Sequence, residues 1–139
     1  MPTRRQFLLT TAGATAGLLA LQGAAGADTE YKLPDNILYT ELHPGRWAAK
    51  AKTHLPDIRI QKQDGVTQLF IAIHHPMSDE HYIVKHTVVD SAGEVVGEKT
   101  FTPKDKPEST FIAPSGYKGV LTVLSFCNLH DLWMATVVL

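Results

Sequence analysis

The chain has 139 residues, with 13 Lys and Arg against 14 Asp and Glu and a formal net charge of −1. A balance this close to neutral lacks the basic surface on which non-specific nucleic-acid binding relies, so that class of function is excluded. A single cysteine rules out an internal disulfide, and the length allows one ordinary domain with one core.

The first 27 residues read as an address. Arg4 and Arg5 precede an apolar, Ala/Gly/Leu-rich run through Leu21, and Ala25-Gly26-Ala27 forms a small-x-small cleavage site. This is the pattern of a twin-arginine signal peptide. The run contains Gly13 and Gly17 and falls short of the roughly 20 apolar residues of a spanning helix, so cleavage after Ala27 is expected and no stable membrane anchor afterwards. The twin-arginine route exports folded proteins and permits a metal to be loaded first, with the periplasm or another exported location as destination. Without Arg4 and Arg5 the charge balance shifts further toward acid.

Residues 28–44 form a polar, proline-containing lead-in with one possible short strand from Ile37 to Thr40. Strand-like runs follow at Asp57 to Lys62, Val66 to His74, His81 to Asp90, Glu94 to Phe101, Gly119 to Phe126 and Leu132 to Leu139. They are rich in β-branched and aromatic residues with partial two-residue alternation. Gln63-Asp64-Gly65, Asp90-Ser91-Ala92-Gly93, Pro103 to Pro107 and Pro114-Ser115-Gly116 supply turn chemistry between them. No segment after the leader sustains a helical period. The expected architecture for residues 45–139 is all-β: an immunoglobulin-like antiparallel β-sandwich of about seven strands.

The chemistry gathers around Cys127. Cys127 and His130 are two residues apart, so one tight turn presents sulfur and nitrogen to the same point, and amides inside that turn are placed to donate to a thiolate. His75 and His81 flank a short connection between two strands. Pro76 stiffens this approach by restricting His75 toward extended angles. His54 lies ahead of the strand from Asp57, and loops at one end of a sandwich converge routinely. A soft thiolate with borderline imidazoles suits iron, copper or zinc and disfavours magnesium or calcium. His43, His74 and His86 fall outside these motifs. His74 and His86 read as strand-surface groups or as neighbours of the ligands, and Trp47, Tyr82 and Trp133 as packing around the site and core.

From Gly45 to the C-terminus the chain resembles the superoxide reductases of the desulfoferrodoxin and neelaredoxin family. The resemblance rests on Gly45-Arg46-Trp47, His54-x-Pro56, His75-Pro-Met-x-x-x-His81-Tyr and Cys127-Asn-Leu-His130-x-Leu-Trp133. It implies one iron (Fe2+/Fe3+) per chain, held equatorially by His54, His75, His81 and His130 and axially by Cys127, with an open sixth position where superoxide is reduced to hydrogen peroxide. It also implies an electron-donor protein as partner, and it leaves a homo-oligomer open. Two-iron members add a four-cysteine domain that a chain with one cysteine cannot build, so the resemblance is to the single-iron class.

Two departures stand out. Many members read Glu-Lys-His-x-Pro where this chain has Lys52-Thr53-His54-Leu55-Pro56, so the usual glutamate and lysine are missing from their places. Lys50 or Lys52 is the candidate to supply the lost positive charge and steer the anion. The glycine often found after the last histidine is Asp131 here, which is expected to bring negative charge near the centre. Two other readings use the same residues: a cupredoxin-like copper carrier with Cys127, His130, Met134 and one upstream histidine, and a non-catalytic metal-binding module of the same fold.

Overall fold

A computed structural model describes residues 32–139. The expected signal peptide lies outside the described residues. Eight strands form two sheets: β1 (Leu38–Tyr39), β2 (Asp57–Gln63), β3 (Val66–Ala72), β4 (Ile83–Val89), β5 (Val95–Thr100), β6 (Glu108–Ile112), β7 (Val120–Cys127) and β8 (Asp131–Val138). The larger sheet runs β1-β8-β7-β4-β5 and the smaller β2-β3-β6. Every pairing is antiparallel except β1 with β8, which is parallel. The sandwich expected from the sequence is therefore present, with one parallel edge contributed by the stretch read as a lead-in.

Two further differences have local causes. β6 was not anticipated because it is five residues long, begins Glu-Ser-Thr and lies between Pro107 and Pro114. The segment before β2 is helical, with a 3-10 helix at Gly45–Lys50 running into a single α-turn, α1 (Ala51–His54). Ten residues in two helix types give no amphipathic period, and the 3-10 part has no buried residue, so hydrophobic patterning could not reveal it. Gly45 opens this segment at φ +48, where a side chain would meet Asn36 Oδ1 at 2.8 Å and the Tyr39 ring at 3.0 Å.

The strand period positions the core and, at its end, the site. On β7 the buried residues are Leu121, Val123, Ser125 and Cys127, alternate positions that all face inward. On β3 the buried residues are Leu69 and Ile71, and Ile73 and His75 continue the row beyond the strand's end. Leu69, Ile71, Val88, Ala113, Leu121 and Val123 close one apolar cluster between the sheets. Ile73, Ile83, Phe101 and Cys127 close a second, with Met77 packed against it. One inward row from each sheet therefore finishes on a candidate ligand side chain, Cys127 or His75, at the same end of the sandwich.

A β-bulge between Ile83 and Lys85 adjusts β4 at this end. It lets both Ile83, beside Cys127, and His86, beside Ser125, point inward despite their odd spacing. His86 is thus a core residue, correcting its reading as a strand-surface group. Its Nδ1 lies 2.7 Å from Ser109 Oγ, and its ring meets Phe101 edge-on. His74 is exposed as expected but lies two residues beyond the end of β3, 3.2 Å from Asp57.

Candidate metal centre

His54 closes α1, buried against the sandwich. Its Nδ1 lies 3.0 Å from the Lys50 carbonyl, an oxygen that only accepts, so Nδ1 carries the proton and Nε2 is left with its lone pair. Thr53 Oγ1 approaches the same Nδ1 at 2.9 Å and itself donates to the Lys50 carbonyl. His81 is set by a tight turn in which Ser78 and His81 exchange backbone bonds and the Ser78 hydroxyl accepts from the His81 amide.

Asn128 ties this turn to the one that follows β7. Its side chain accepts from the Tyr82 amide at 3.0 Å and donates to the Glu80 carbonyl at 3.0 Å, bracketing His81. Trp133 Nε1 donates to the His130 carbonyl at 2.8 Å. These bonds lock the Cys127-to-His130 turn against the His81 loop.

The ring nitrogens converge. His75 Nε2 is 2.9 Å from His81 Nε2, and His130 Nδ1 is 3.0 Å from both His54 Nε2 and His81 Nε2. Cys127 Sγ lies 3.2 Å from His81 Nε2 and 3.8 Å from His130 Nδ1. Ligand atoms of His54, His75, His81 and Cys127 all fall within 4.8 Å of one another. Going round the ring of imidazoles, His54 to His130, His130 to His81, His81 to His75 and His75 to His54 are near-perpendicular, at 90°, 73°, 90° and 82°. His54 and His81, on opposite sides, are nearly parallel at 25°.

A first-row metal ion fits this arrangement. With about 2.1 Å to nitrogen and about 2.3 Å to sulfur, ligands at right angles lie about 3.0 Å (N to N) and about 3.1 Å (N to S) apart. The nitrogen separations and the His81-to-sulfur distance match those values. Hydrogen bonding alone does not account for the cluster, because His130 Nδ1 has one lone pair or one proton yet faces two other imidazole nitrogens at equal distance.

The electrostatics favour a cation as well. Burial pushes His54 and His75 down to about 4, and their neighbouring imidazoles push the same way, so both are neutral at ordinary pH. Burial also lowers His81 and His130. Burial raises the Cys127 thiol, opposed by hydrogen bonds from the Leu129 and His130 amides, as the turn geometry predicts. A metal cation offsets the burial cost by stabilising the thiolate directly.

Lys50 lies close enough to lower the basicity of His75, His81 and His130. Lys52 does not figure among the charges acting on His81 or His130, and its side chain is exposed. Asp131 brings negative charge near the centre as expected, acting to raise both His130 and Cys127. Its carboxylate does not stand free beside the centre; it accepts from Arg46 at 2.7 Å and Trp47 Nε1 at 2.8 Å, with the Tyr39 hydroxyl 3.3 Å away. The sequence signal for this was the pairing of Gly45-Arg46-Trp47 with the residue after His130, opposite charges in two separate motifs. Met134 lines a surface cleft with Thr40, Leu55, Pro56 and Ala135, and His43 is exposed on the same cleft.

Comparison with known proteins agrees with this geometry. The desulfoferrodoxin family model matches residues 46–136. A superoxide reductase of Pyrococcus abyssi is 29% identical over 110 residues, covering 70% of this chain and 94% of its own length. A desulfoferrodoxin of Syntrophotalea carbinolica is 35% identical over 113 residues, covering 81% of this chain and 82% of its own. A solved superoxide reductase (neelaredoxin) of Ignicoccus hospitalis superposes with a TM-score of 0.67 at 28% identity, over 78% of this chain and 98% of that one. The matched span includes all five side chains of the cluster and the strands that carry them, and the chain belongs to the desulfoferrodoxin family.

Proposed function

We infer that the chain is a superoxide reductase, taking superoxide, one electron and two protons to hydrogen peroxide at a mononuclear iron. The observation that carries this reading is the convergence of four imidazoles, with His75–His81, His81–His130 and His130–His54 nitrogens 2.9 to 3.0 Å apart and one buried sulfur beside them. His54, His75, His81, His130 and Cys127 are the residues that would hold the iron. Bound iron would supply a one-electron couple.

The residues divide the remaining work. Cys127 enters from the apolar cluster of Ile73, Ile83 and Phe101, so its side of the site excludes water. The Leu129 and His130 amides draw electron density from the sulfur and moderate its donation. The Lys50 carbonyl fixes the His54 tautomer, and the Lys50 ammonium supplies positive charge for an approaching anion. Lys52, exposed at the position of the missing glutamate, is assigned a lesser share of that steering. The cupredoxin reading finds less support, since Met134 belongs to the Thr40 and Pro56 cleft and a copper carrier would leave two of the four converging histidines without a role.

The proposal extends to transport and partners. Arg4-Arg5, the apolar run and Ala25-Gly26-Ala27 support export through the twin-arginine route to the periplasm, and catalytic turnover requires a protein electron donor. Rapid mixing of reduced, iron-loaded protein with superoxide tests the activity. One hydrogen peroxide per superoxide, with stoichiometric oxidation of ferrous iron, is expected. Ferrous iron that survives the encounter unchanged, or oxygen released as in dismutation, refutes it.

A further inference from the structure

The 3-10 helix and α1 carry both His54 and Lys50, yet hydrophobic burial hardly holds them. No residue from Gly45 to Lys50 is buried, and His54 is the one buried residue of α1. A segment with so little apolar anchorage opens easily unless polar contacts restrain it. Beside the bond to Asn36 and the segment's own turns, the side-chain restraint on Arg46 and Trp47 converges on one oxygen, Asp131 Oδ2.

That oxygen accepts from Arg46 Nη2 at 2.7 Å and from Trp47 Nε1 at 2.8 Å, and the Tyr39 hydroxyl lies 3.3 Å away, its one proton shared with the nearer Asn36 carbonyl at 3.1 Å. Arg46 Nε donates in turn to the Tyr39 oxygen at 3.0 Å, and the Arg46 amide to Asn36 Oδ1 at 3.1 Å. Trp47, held by its Nε1, lays its ring edge-on against His130 with centroids 4.6 Å apart. The guanidinium and indole donors meeting on this one carboxylate oxygen make a charge-assisted contact. Asp131 also follows His130 directly and sits at φ +64, a left-handed angle that Asp tolerates better than most residues.

We propose that Asp131 is a positioning residue that clasps the Gly45–His54 segment to the Cys127–His130 turn, so that His54 and Lys50 are held in register with the other ligands. This rests on the metal-centre reading above. The carboxylate joins two parts of the site 76 residues apart in sequence, measured from His54 to His130. Asp131 acts through Trp47 and Arg46 and touches neither substrate nor the ligand nitrogens.

The test uses the iron-loaded full chain with Asp131→Gly, Asp131→Asn and Trp47→Phe. Gly and Asn both accept the left-handed backbone, so these two changes remove the carboxylate without straining the turn. Two quantities are read: retention of ferrous iron against a competing chelator, and amide hydrogen exchange along the chain. Asp131→Gly is expected to weaken iron retention about 10- to 100-fold, the usual range for groups that orient ligands. It should speed exchange across the Gly45–His54 segment while β4 and β7 keep their protection. Asp131→Asn is expected to fall between, and the Asp131→Gly/Trp47→Phe pair to lose less than the two single losses combined.

Parent-like iron retention with parent-like protection of the segment in Asp131→Gly overturns the proposal. So does exchange that rises equally in all strands, which marks a general stability role. Should Asp131→Gly fail to fold, Trp47→Phe decides by the same two readings. If the parent chain itself holds no iron, the metal-centre reading fails, and the exchange arm alone still decides whether the clasp exists.

Discussion

Removing the Lys50 charge isolates its electrostatic role, because the backbone carbonyl that orients His54 stays in place. Alanine also suits a helical position, so Lys50→Ala should leave the segment folded. A unit charge about 4 Å from superoxide attracts it by about 1 kcal/mol in water and about 4 kcal/mol at an effective dielectric near 20. The Lys50 side chain is exposed, which places it toward the lower figure and predicts a roughly 5- to 10-fold fall in the second-order rate of superoxide capture. The assay is rapid mixing or pulse radiolysis of the reduced protein at several ionic strengths. The parent rate should fall with added salt, and the Lys50→Ala rate should depend on salt less steeply. Lys50→Arg should restore most of the parent rate, and Lys52→Ala should lose less than Lys50→Ala. Parent-like capture by Lys50→Ala with unchanged salt dependence, or an equal loss in Lys52→Ala, would refute the assignment.

Cys127→Ser should abolish the thiolate-to-iron absorption band and most activity, whereas His43→Ala should leave spectrum and rate unchanged; visible spectra of the oxidised proteins check both. Asn128→Ala removes partners from the Tyr82 amide and the Glu80 carbonyl, with an expected loss of about 1 to 3 kcal/mol in denaturant unfolding and weaker iron retention against a chelator. Burial lowers His86 from 6.5 to about 4, so between those values the unfolded chain binds the extra proton and stability rises with pH. The His86 contribution is complete above the unfolded value and is lost as pH falls toward 4. Between pH 7 and pH 5 the stability of the parent relative to His86→Leu should drop by about 2 kcal/mol in urea titrations. A constant difference across that range would show that His86 is not a buried neutral imidazole.

Legibility from sequence followed the physics of each element. Strands with two-residue alternation were readable because one face of each is buried, and Asp64-Gly65, with φ of 51° and 77°, is the two-residue turn its composition suggests. β6 escaped because pairing with β3, more than its own polar sequence, makes it a strand. The helical Gly45–His54 segment escaped for a related reason, since it is held by Asp131, Asn36 and its own turns in place of an apolar stripe. The five side chains of the cluster were visible as motifs. Their cyclic order, the His54 tautomer and the clasp depend on contacts between distant residues and needed coordinates.

The arrangement also explains why a sandwich end suits this chemistry. Strand alternation fixes Cys127 as the last inward residue of β7 and sets His75 at the end of the row that begins on β3, so the sheets themselves define two ligand directions. The other three imidazoles of the cluster come from a turn, a loop and a short helix, each held by its own polar bonds: Ser78 at His81, Trp133 at His130 and the Lys50 carbonyl at His54. Rigid strands thus place the sulfur on the dry side, and polar connections hold the other imidazoles around it. On this division, perturbing the strand rows should act mainly on stability and the environment of the thiolate, while perturbing Asp131, Asn128 or Ser78 should act mainly on metal retention and capture.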